Sequence, residues 1–433
     1  MSGTLLVAYE YVADRGVHNF IVNRNYASSR ISKHGLYASV LQHLEQCSVS
    51  FHGIISELVI TSVFIIVFLK IGTPNLSTEE LYVLLGAYAC NRCFMTVVKV
   101  GINGFGTIGK RVATAVDAQE DMEVIGVTKT RPSFESEIAR AKGFDLYVPG
   151  DRIPLFDEAE VPVKGTVEDL CEKADIIVDC TPGNVGQMYK DMYSKAGVKA
   201  IFQGGEDHSL AGTSFNSTAN YQESWGAQFS RVVSCNTTGL LRTVFPLDRQ
   251  FGVEKAYVTL VRRGADPGDS KGGPINALEP SVKLPTHHGP DVQSIMPWLN
   301  INTMAIKAST TIMHMHTVTL ELKNEVTTEE AIEVIRNSPR VRVVNSSSGI
   351  KSTAEIMELA SDLGRDRSDM YEIVVWEDGI KSTGNMLYYY QAVHQESDVV
   401  PENVDCIRSM CKLCEADEST RLTNIALGIP YKR

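Results

Sequence analysis

"VVKVGINGFGTIGKRVATAV" (Val97–Val116) constrains the fold more than any other stretch of this 433-residue chain. Val97–Ile102 reads as a short apolar strand, and Gly106–Val116 has helical spacing and good helix formers. Between them Gly104, Gly106 and Gly109 give G-x-G-x-x-G in the strand-then-helix context that the spacing requires. Gly104 permits a tight turn, Gly106 lets a pyrophosphate approach the backbone, and Gly109 allows close helix–strand packing. The N–H groups of Thr107 and Ile108 at the helix start would hold phosphate oxygens. A glycine-rich turn of another α/β protein is the plain alternative.

A second strand, Met122–Thr128, would end in an acidic residue if the ligand were strictly NAD, because a carboxylate there binds the ribose 2′-hydroxyl. It is followed instead by Lys129 and Thr130. A lysine attracts a 2′-phosphate, which points to NADP or to use of both dinucleotides; a solvated lysine at a strand end is the bland reading. "ADIIVDCTP" (Ala174–Pro182) and "KAIFQGGE" (Lys199–Glu206) repeat the strand-then-loop pattern, with helical stretches between. Such βα units predict a doubly wound parallel sheet, a Rossmann-type α/β domain, with Gly183, Asn184, Gln203, Gly204 and Gly205 in loops at the cofactor crevice.

Further on, Lys255–Arg263, Thr310–Leu322 and Tyr371–Asp378 are alternating strands suited to a half-exposed sheet. They predict a second, mixed α+β domain. The tail Val400–Ala416 opens near a proline and reads as one helix with an apolar stripe. A net charge of −11 without a basic run argues against nucleic acid. Nine scattered cysteines give no disulfide framework, and no secretory signal opens the chain, so the cytoplasm is the expected compartment.

"SCNTTG" (Ser234–Gly239) sits at the junction. Asn236, Thr237 and Thr238 around Cys235 offer hydrogen bonds rather than apolar contact. A thiol that ends an apolar strand beside polar donors suits a nucleophile next to an oxyanion site, although free cysteine is also a common buried residue. A nucleotide domain followed by such a thiol suggests aldehyde oxidation: thiolate attack, hydride loss, and a thioester left behind. The site then needs a proton acceptor. His314 and His316, two apart on a strand, share one face, and either is equally well a satisfied core histidine. His287 and His288 follow a proline and precede Gly289 in a loop suited to an anion. Arg262 and Arg263 end a strand with side chains facing oppositely, so one of them can enter the site.

Together "GINGFGTIGKRV", "FQGGE", "VVSCNTTGLLRT", "GPIN", "HMH" and "AVHQESDVVPEN" resemble the archaeal type of phosphorylating glyceraldehyde-3-phosphate dehydrogenase, from about Met95 to the C-terminus, some 339 residues. The resemblance implies Cys235 as nucleophile and His314 as base. It implies Ser234, Asn236 and Thr237 in the substrate site, and His287, His288 and Gly289 on the substrate phosphate or inorganic phosphate. For the dinucleotide it implies Gly104, Gly106, Thr107, Ile108, Gly109, Lys129, Gly204 or Gly205, Arg263 and Gln395, with NADP preferred over NAD. It further implies a cytoplasmic homotetramer, acting in glycolysis or gluconeogenesis, whose final helix packs back on the nucleotide domain. The domains are then 95–234 with 397–433, and 235–396.

Residues 1–94 depart from the family. They carry six acidic and six basic side chains, two of them lysines, and an uncharged run of twelve, Leu58–Leu69, shorter than the roughly 20 residues of a spanning helix. An accessory extension or a translation start at Met95 are the two readings. Rival functions are another thiol-dependent semialdehyde or acyl-phosphate dehydrogenase and a non-catalytic dinucleotide-binding regulator. A zinc site from Cys90, Cys93, Cys411 and Cys414 is disfavoured, because the two pairs lie far apart, and no metal is expected.

Overall fold

The computed structural model describes residues 97–430 apart from 204, 266–272, 274 and 275. The readings for residues 1–94 and Gly204 lie outside the described residues.

The first half builds a wholly parallel sheet from β1 (Val98–Asn103), β2 (Met122–Thr128), β3 (Leu146–Val148), β4 (Gly165–Thr166), β5 (Ile176–Asp179), β6 (Lys199–Gln203), β7 (Ser214–Phe215) and β8 (Phe229–Val232). Its order is β4-β3-β2-β1-β5-β6-β8-β7. The order reverses direction beside β1, which puts a crevice at the carboxyl ends of β1 and β5, next to the glycine turn. The connecting helices are α1 (Gly109–Asp117), α2 (Phe134–Ala141), α3 (Ile153–Glu158), α4 (Val167–Lys173), α5 (Gly186–Ala196) and α6 (His208–Ala211). Central strand β5 is buried at every position and β1 at every position but Lys99, hence their mainly apolar sequences.

Helix α7 (Cys235–Phe251) then leads into a second sheet of β9 (Val253–Arg263), β10 (Glu279–Pro280), β11 (Ile301–Ala308), β12 (His314–Leu322), β13 (Val341–Val344), β14 (Ile373–Trp376), β15 (Lys381–Thr383) and β16 (Met386–Val393). The order is β10-β11-β9-β12-β16-β14-β13, with β15 on β16, and both parallel and antiparallel pairs occur. Strand β12 alternates buried and half-buried residues along its length, so one face packs on α7. Helices α8 (His288–Gln293), α9 (Thr328–Asn337) and α10 (Thr353–Asp362) lie among these strands.

Strands β1, β9 and β14 shift by one to two residues at their ends from Val97–Ile102, Lys255–Arg263 and Tyr371–Asp378, and three further boundaries shift for a visible backbone reason. Strand β12 begins at His314 rather than Thr310, because Met313 has a left-handed backbone, φ 55°, and Ile312 lies outside the buried face. Helix α1 begins at Gly109, since Gly104–Ile108 form the turn, where the main-chain N–H of Phe105 donates to the Thr128 carbonyl at 2.9 Å. The tail is two helices, α11 (Val400–Cys411) and α12 (Ala416–Ala426), because Lys412 turns left-handed, φ 57°. Cys411 and Cys414 therefore do not share a helix.

Helix α11 is buried from Val400 to Met410 and packs on β6, β8 and α1. Its charges are matched inside: Arg242 of α7 holds Glu402 at 2.7 Å, Arg340 holds Asp405 at 2.7 Å, and Arg408 holds Asp121 at 2.7 Å. Removing one partner of such a pair strands a buried charge and costs about 3–5 kcal/mol. No helix among the described residues is long and apolar enough to cross a membrane.

Candidate active site

The glycine turn is fixed from below. The Gly104 N–H donates to Thr128 Oγ1 (2.8 Å), whose hydroxyl donates to Asn103 Oδ1 (2.7 Å). Asn103 Nδ2 reaches Tyr193 Oη at 2.7 Å, and that hydroxyl donates to Asp179 Oδ2 at 2.7 Å. Gly104 has φ +97°, and a Cβ there would lie 2.9 Å from the Cys180 carbonyl oxygen. A Cβ on Gly109 would fall 2.0 Å from the Gly104 carbonyl oxygen, so close helix packing forbids a side chain. Gly106 faces open space. Gln395, just past the second sheet's last strand, is buried with both amide atoms lacking a partner. A glycine turn open at Gly106 lets the pyrophosphate of a dinucleotide approach the backbone.

Lys129 leaves the end of β2, where its Nζ binds Glu135 Oε2 at 3.0 Å. The Ser133 hydroxyl donates to the same carboxylate oxygen at 2.9 Å. The lysine is thus neither solvated nor an uncompensated charge, and sequence reading passed over Glu135.

Cys235 is the first residue of the seventeen-residue helix α7, which the sequence reading had not recognised as a helix start. Ser234 is its N-cap, taking the Thr237 N–H on its hydroxyl oxygen at 3.4 Å. The thiol is half-buried where the cores of the two sheets meet. Burial pushes it up from its ordinary value and the buried Asp398 carboxyl adds to this; Arg262, Arg263 and the Asn236 N–H act against it. The helix N-terminus also favours the thiolate.

The histidines of "HMH" have different partners. His314 Nδ1 accepts the main-chain N–H of Arg263 at 3.0 Å. His316 is saturated: Gln391 Nε2 donates to Nδ1 (3.0 Å), leaving Nε2–H to donate to Asn236 Oδ1 (2.9 Å). Gln391 is held in turn by the Thr243 hydroxyl at 2.8 Å. His316 is therefore the satisfied core histidine, and it fixes the residue next to the thiol. The rings of His287 and His288 lie 3.9 Å apart, and both nitrogens of buried His288 lack a partner.

Burial lowers all four rings, taking His288 to about 2 and His316 to about 3. Arg262 acts on each of them as well, so it supplies the positive charge of the cluster. Its neighbour Arg263 pairs with Glu396 at 2.5 Å, and Glu396 also meets His394 at 3.1 Å. Both arginines act on Cys235 and on His314, and Arg263, which the resemblance gave to the cofactor, also holds Glu396. Asn236 and Thr237 are buried; Asn236 serves His316, and the Thr237 hydroxyl donates to Asp291 at 2.5 Å. Gly289 N–H donates to Thr303 Oγ1 at 3.1 Å. Asp291 lies outside every motif, and Glu396 and Asp398, though inside "AVHQESDVVPEN", carried no role in the sequence. Among the described residues no group of three or more His, Cys, Asp or Glu could hold a metal ion.

Residues 234–379 match the family described as "Glyceraldehyde 3-phosphate dehydrogenase, C-terminal domain", and residues 98–205 match "Dihydrodipicolinate reductase, N-terminus". The first match starts at Ser234, beside the candidate thiol. The chain is 56% identical over 337 residues to a glyceraldehyde-3-phosphate dehydrogenase of Methanococcoides burtonii, covering 77% of this chain and 100% of that one. It is 52% identical over 338 residues to that of Methanosarcina mazei (77% and 100%), and 53% identical over 333 residues to that of Thermococcus kodakarensis (77% and 99%). The chain belongs to the glyceraldehyde-3-phosphate dehydrogenase family.

Proposed function

We propose that this enzyme oxidises D-glyceraldehyde 3-phosphate with inorganic phosphate to 1,3-bisphosphoglycerate, and runs the reverse, through a thioester on Cys235. The position of Cys235 carries the reading: a thiol on the first turn of a long helix, with an N–H at its sulfur, within reach of the Arg262 charge, and next to Asn236, which His316 holds. Gly104, Gly106, Thr107, Ile108, Gly109, Lys129, Gly205 and Gln395 would hold NAD(P), which supplies the hydride acceptor. Glyceraldehyde 3-phosphate and phosphate meet the chain on the other side of the thiol.

The half-buried Cys235 thiol releases its proton to solvent; the thiolate attacks the aldehyde carbon, and the carbonyl π electrons move onto oxygen. The Arg263 N–H on Nδ1 of His314 supports a donor role for its Nε2–H toward that alkoxide. To act as base the ring would first have to give up this hydrogen bond. After hydride loss the carbon is a thioester. A phosphate oxygen then attacks the thioester carbon, the C–S bond breaks, and the electron pair returns to sulfur at the helix N-terminus. His287, His288 and Gly289 hold phosphate, with N–H donors from the neutral rings and charge from Arg262.

The Lys129–Glu135 pair supports use of both NAD and NADP. Tyr257, Met304, Tyr388 and Tyr390 stand exposed on the open face of the second sheet, which supports assembly into a homotetramer through that face. We place the enzyme in the cytoplasm, with domain limits of 95–234 with 397–433, and 235–396. The test is NAD(P)H formation from glyceraldehyde 3-phosphate with and without inorganic phosphate. Turnover that ignores phosphate would overturn the reading.

A further inference from the structure

Asp291 has no part in the chemistry above, yet it joins the parts that do. It lies in α8, three residues past His288. Its Oδ2 accepts the Thr237 hydroxyl at 2.5 Å and lies 3.1 Å from the Ser234 hydroxyl, so it grips the first turn of the Cys235 helix. Its Oδ1 takes Arg231 Nη1 at 2.6 Å.

Arg231 is itself immobilised. Nη1 also donates to the Glu206 carbonyl oxygen (3.0 Å), Nε and Nη2 to Ser214 Oγ (3.0 and 2.7 Å), and Nη2 to Ser294 Oγ (3.1 Å). Those bonds and the one to Asp291 use the full donor set of a guanidinium. Glu206 follows the Gly205 loop at the dinucleotide crevice, and its carboxylate accepts the Gly186 N–H at 3.1 Å. One arginine–carboxylate pair thus connects the cofactor loop, the strand leading to Cys235, the first turn of α7 and the helix that begins at His288.

We infer that Asp291, held by Arg231, is a positioning residue that sets the His287–His288 loop against the Cys235 thioester for attack by phosphate. This rests on the reading of Cys235 and the histidine loop given above. The Ser234 and Thr237 hydroxyls then serve the positioning of the thiol, not the substrate. Without the carboxylate charge, α8 can move relative to α7 while Cys235 keeps its helix, its Asn236 N–H and its cofactor side. The step that spans the two helices, acyl transfer to phosphate, is the one exposed to misalignment.

The experiment compares full-length wild type, Asp291→Asn and Thr237→Val in two assays. One is the single-turnover burst of NAD(P)H from glyceraldehyde 3-phosphate without phosphate; the other is steady-state turnover against inorganic phosphate. We expect Asp291→Asn to lower kcat/KM for phosphate ~10- to 100-fold, the scale of a small misplacement, with much less change in the burst rate. Thr237→Val, which keeps the ion pair, should show a smaller loss on the same step. If Asp291→Asn fails to fold, Thr237→Val carries the test by the same criterion. Equal losses in both assays, or a lower melting temperature with both rates unchanged, would overturn the assignment. If wild-type turnover needs no phosphate, or Cys235→Ser still gives a burst, the reading of the site fails instead.

Discussion

The Arg263 main-chain N–H points at Nδ1 of His314 from 3.0 Å, so the proton of the neutral ring sits on Nε2. His314 in this state is a donor. His314→Asn should lower kcat by ~10²–10³, the cost of losing an oxyanion donor, while the rise of rate with pH is retained. A base at this position predicts something else: a rise with pH that flattens in the variant. The pH profile of kcat for the two proteins separates the roles.

His316 makes two hydrogen bonds inside the core and ends on Asn236. His316→Asn should cost ~1–3 kcal/mol of stability by leaving buried Gln391 and Asn236 groups unsatisfied, with a smaller loss of kcat than His314→Asn. Denaturant midpoints and kcat measured on the two variants check the order.

Much of this was legible in the sequence. Strand β2 was read with its observed ends, because period and composition act within a few residues. The glycine turn was legible because its spacing encodes φ and close contact, both visible at Gly104 and Gly109. Cys235, His314 and the histidine loop came from motifs. The helix start at Cys235 was missed, as polar "CNTT" hides the apolar stripe that begins at Leu240. The roles of Asp291, Glu396 and Asp398 were not readable, although the last two lie in a quoted motif, because their meaning lies in partners 57, 133 and 163 positions away: Ser234, Arg263 and Cys235.

The Lys129–Glu135 pair makes cofactor choice a competition between a carboxylate and a 2′-phosphate for one ammonium. Burial works against the Glu135 charge, but Lys129 and the Ser133 hydroxyl hold the carboxyl below its ordinary value. Glu135→Gln should therefore raise the NADP-to-NAD ratio of kcat/KM by ~fivefold, the worth of a partly exposed ion pair. Lys129→Asp should turn preference toward NAD by removing an attraction and adding a repulsion. Ratios unchanged in both variants would place the ribose away from this pair.

Cys235→Ser should abolish turnover and leave dinucleotide binding intact, because a serine hydroxyl is hardly ionised at neutral pH. Loss of a nucleophile costs several orders of magnitude, so residual activity above ~1% would speak against a thioester. Fluorescence titration with NADPH checks the binding half.

Three buried neutral histidines, His288, His314 and His316, also make stability depend on pH. In the unfolded chain each titrates near 6.5, whereas burial holds His316 to about 3 and His288 to about 2 in the folded protein. Below pH ~6.5 the unfolded state binds protons that the folded state refuses, so stability falls as pH falls, by ~1.4 kcal/mol per pH unit per site. Asp179, Asp369 and Asp398 work the other way over part of this range, since burial raises their carboxyls and the folded state holds their protons. A variant lacking one histidine isolates its share. Between pH 7.5 and 5.0, wild type should lose ~2 kcal/mol more than His316→Asn, the contribution of a single site refused protonation over one and a half units. Urea unfolding at the two pH values gives the difference directly. Equal losses would mean that His316 takes up its proton in the folded state, and the hydrogen-bond chain from Gln391 to Asn236 would have to open to admit it.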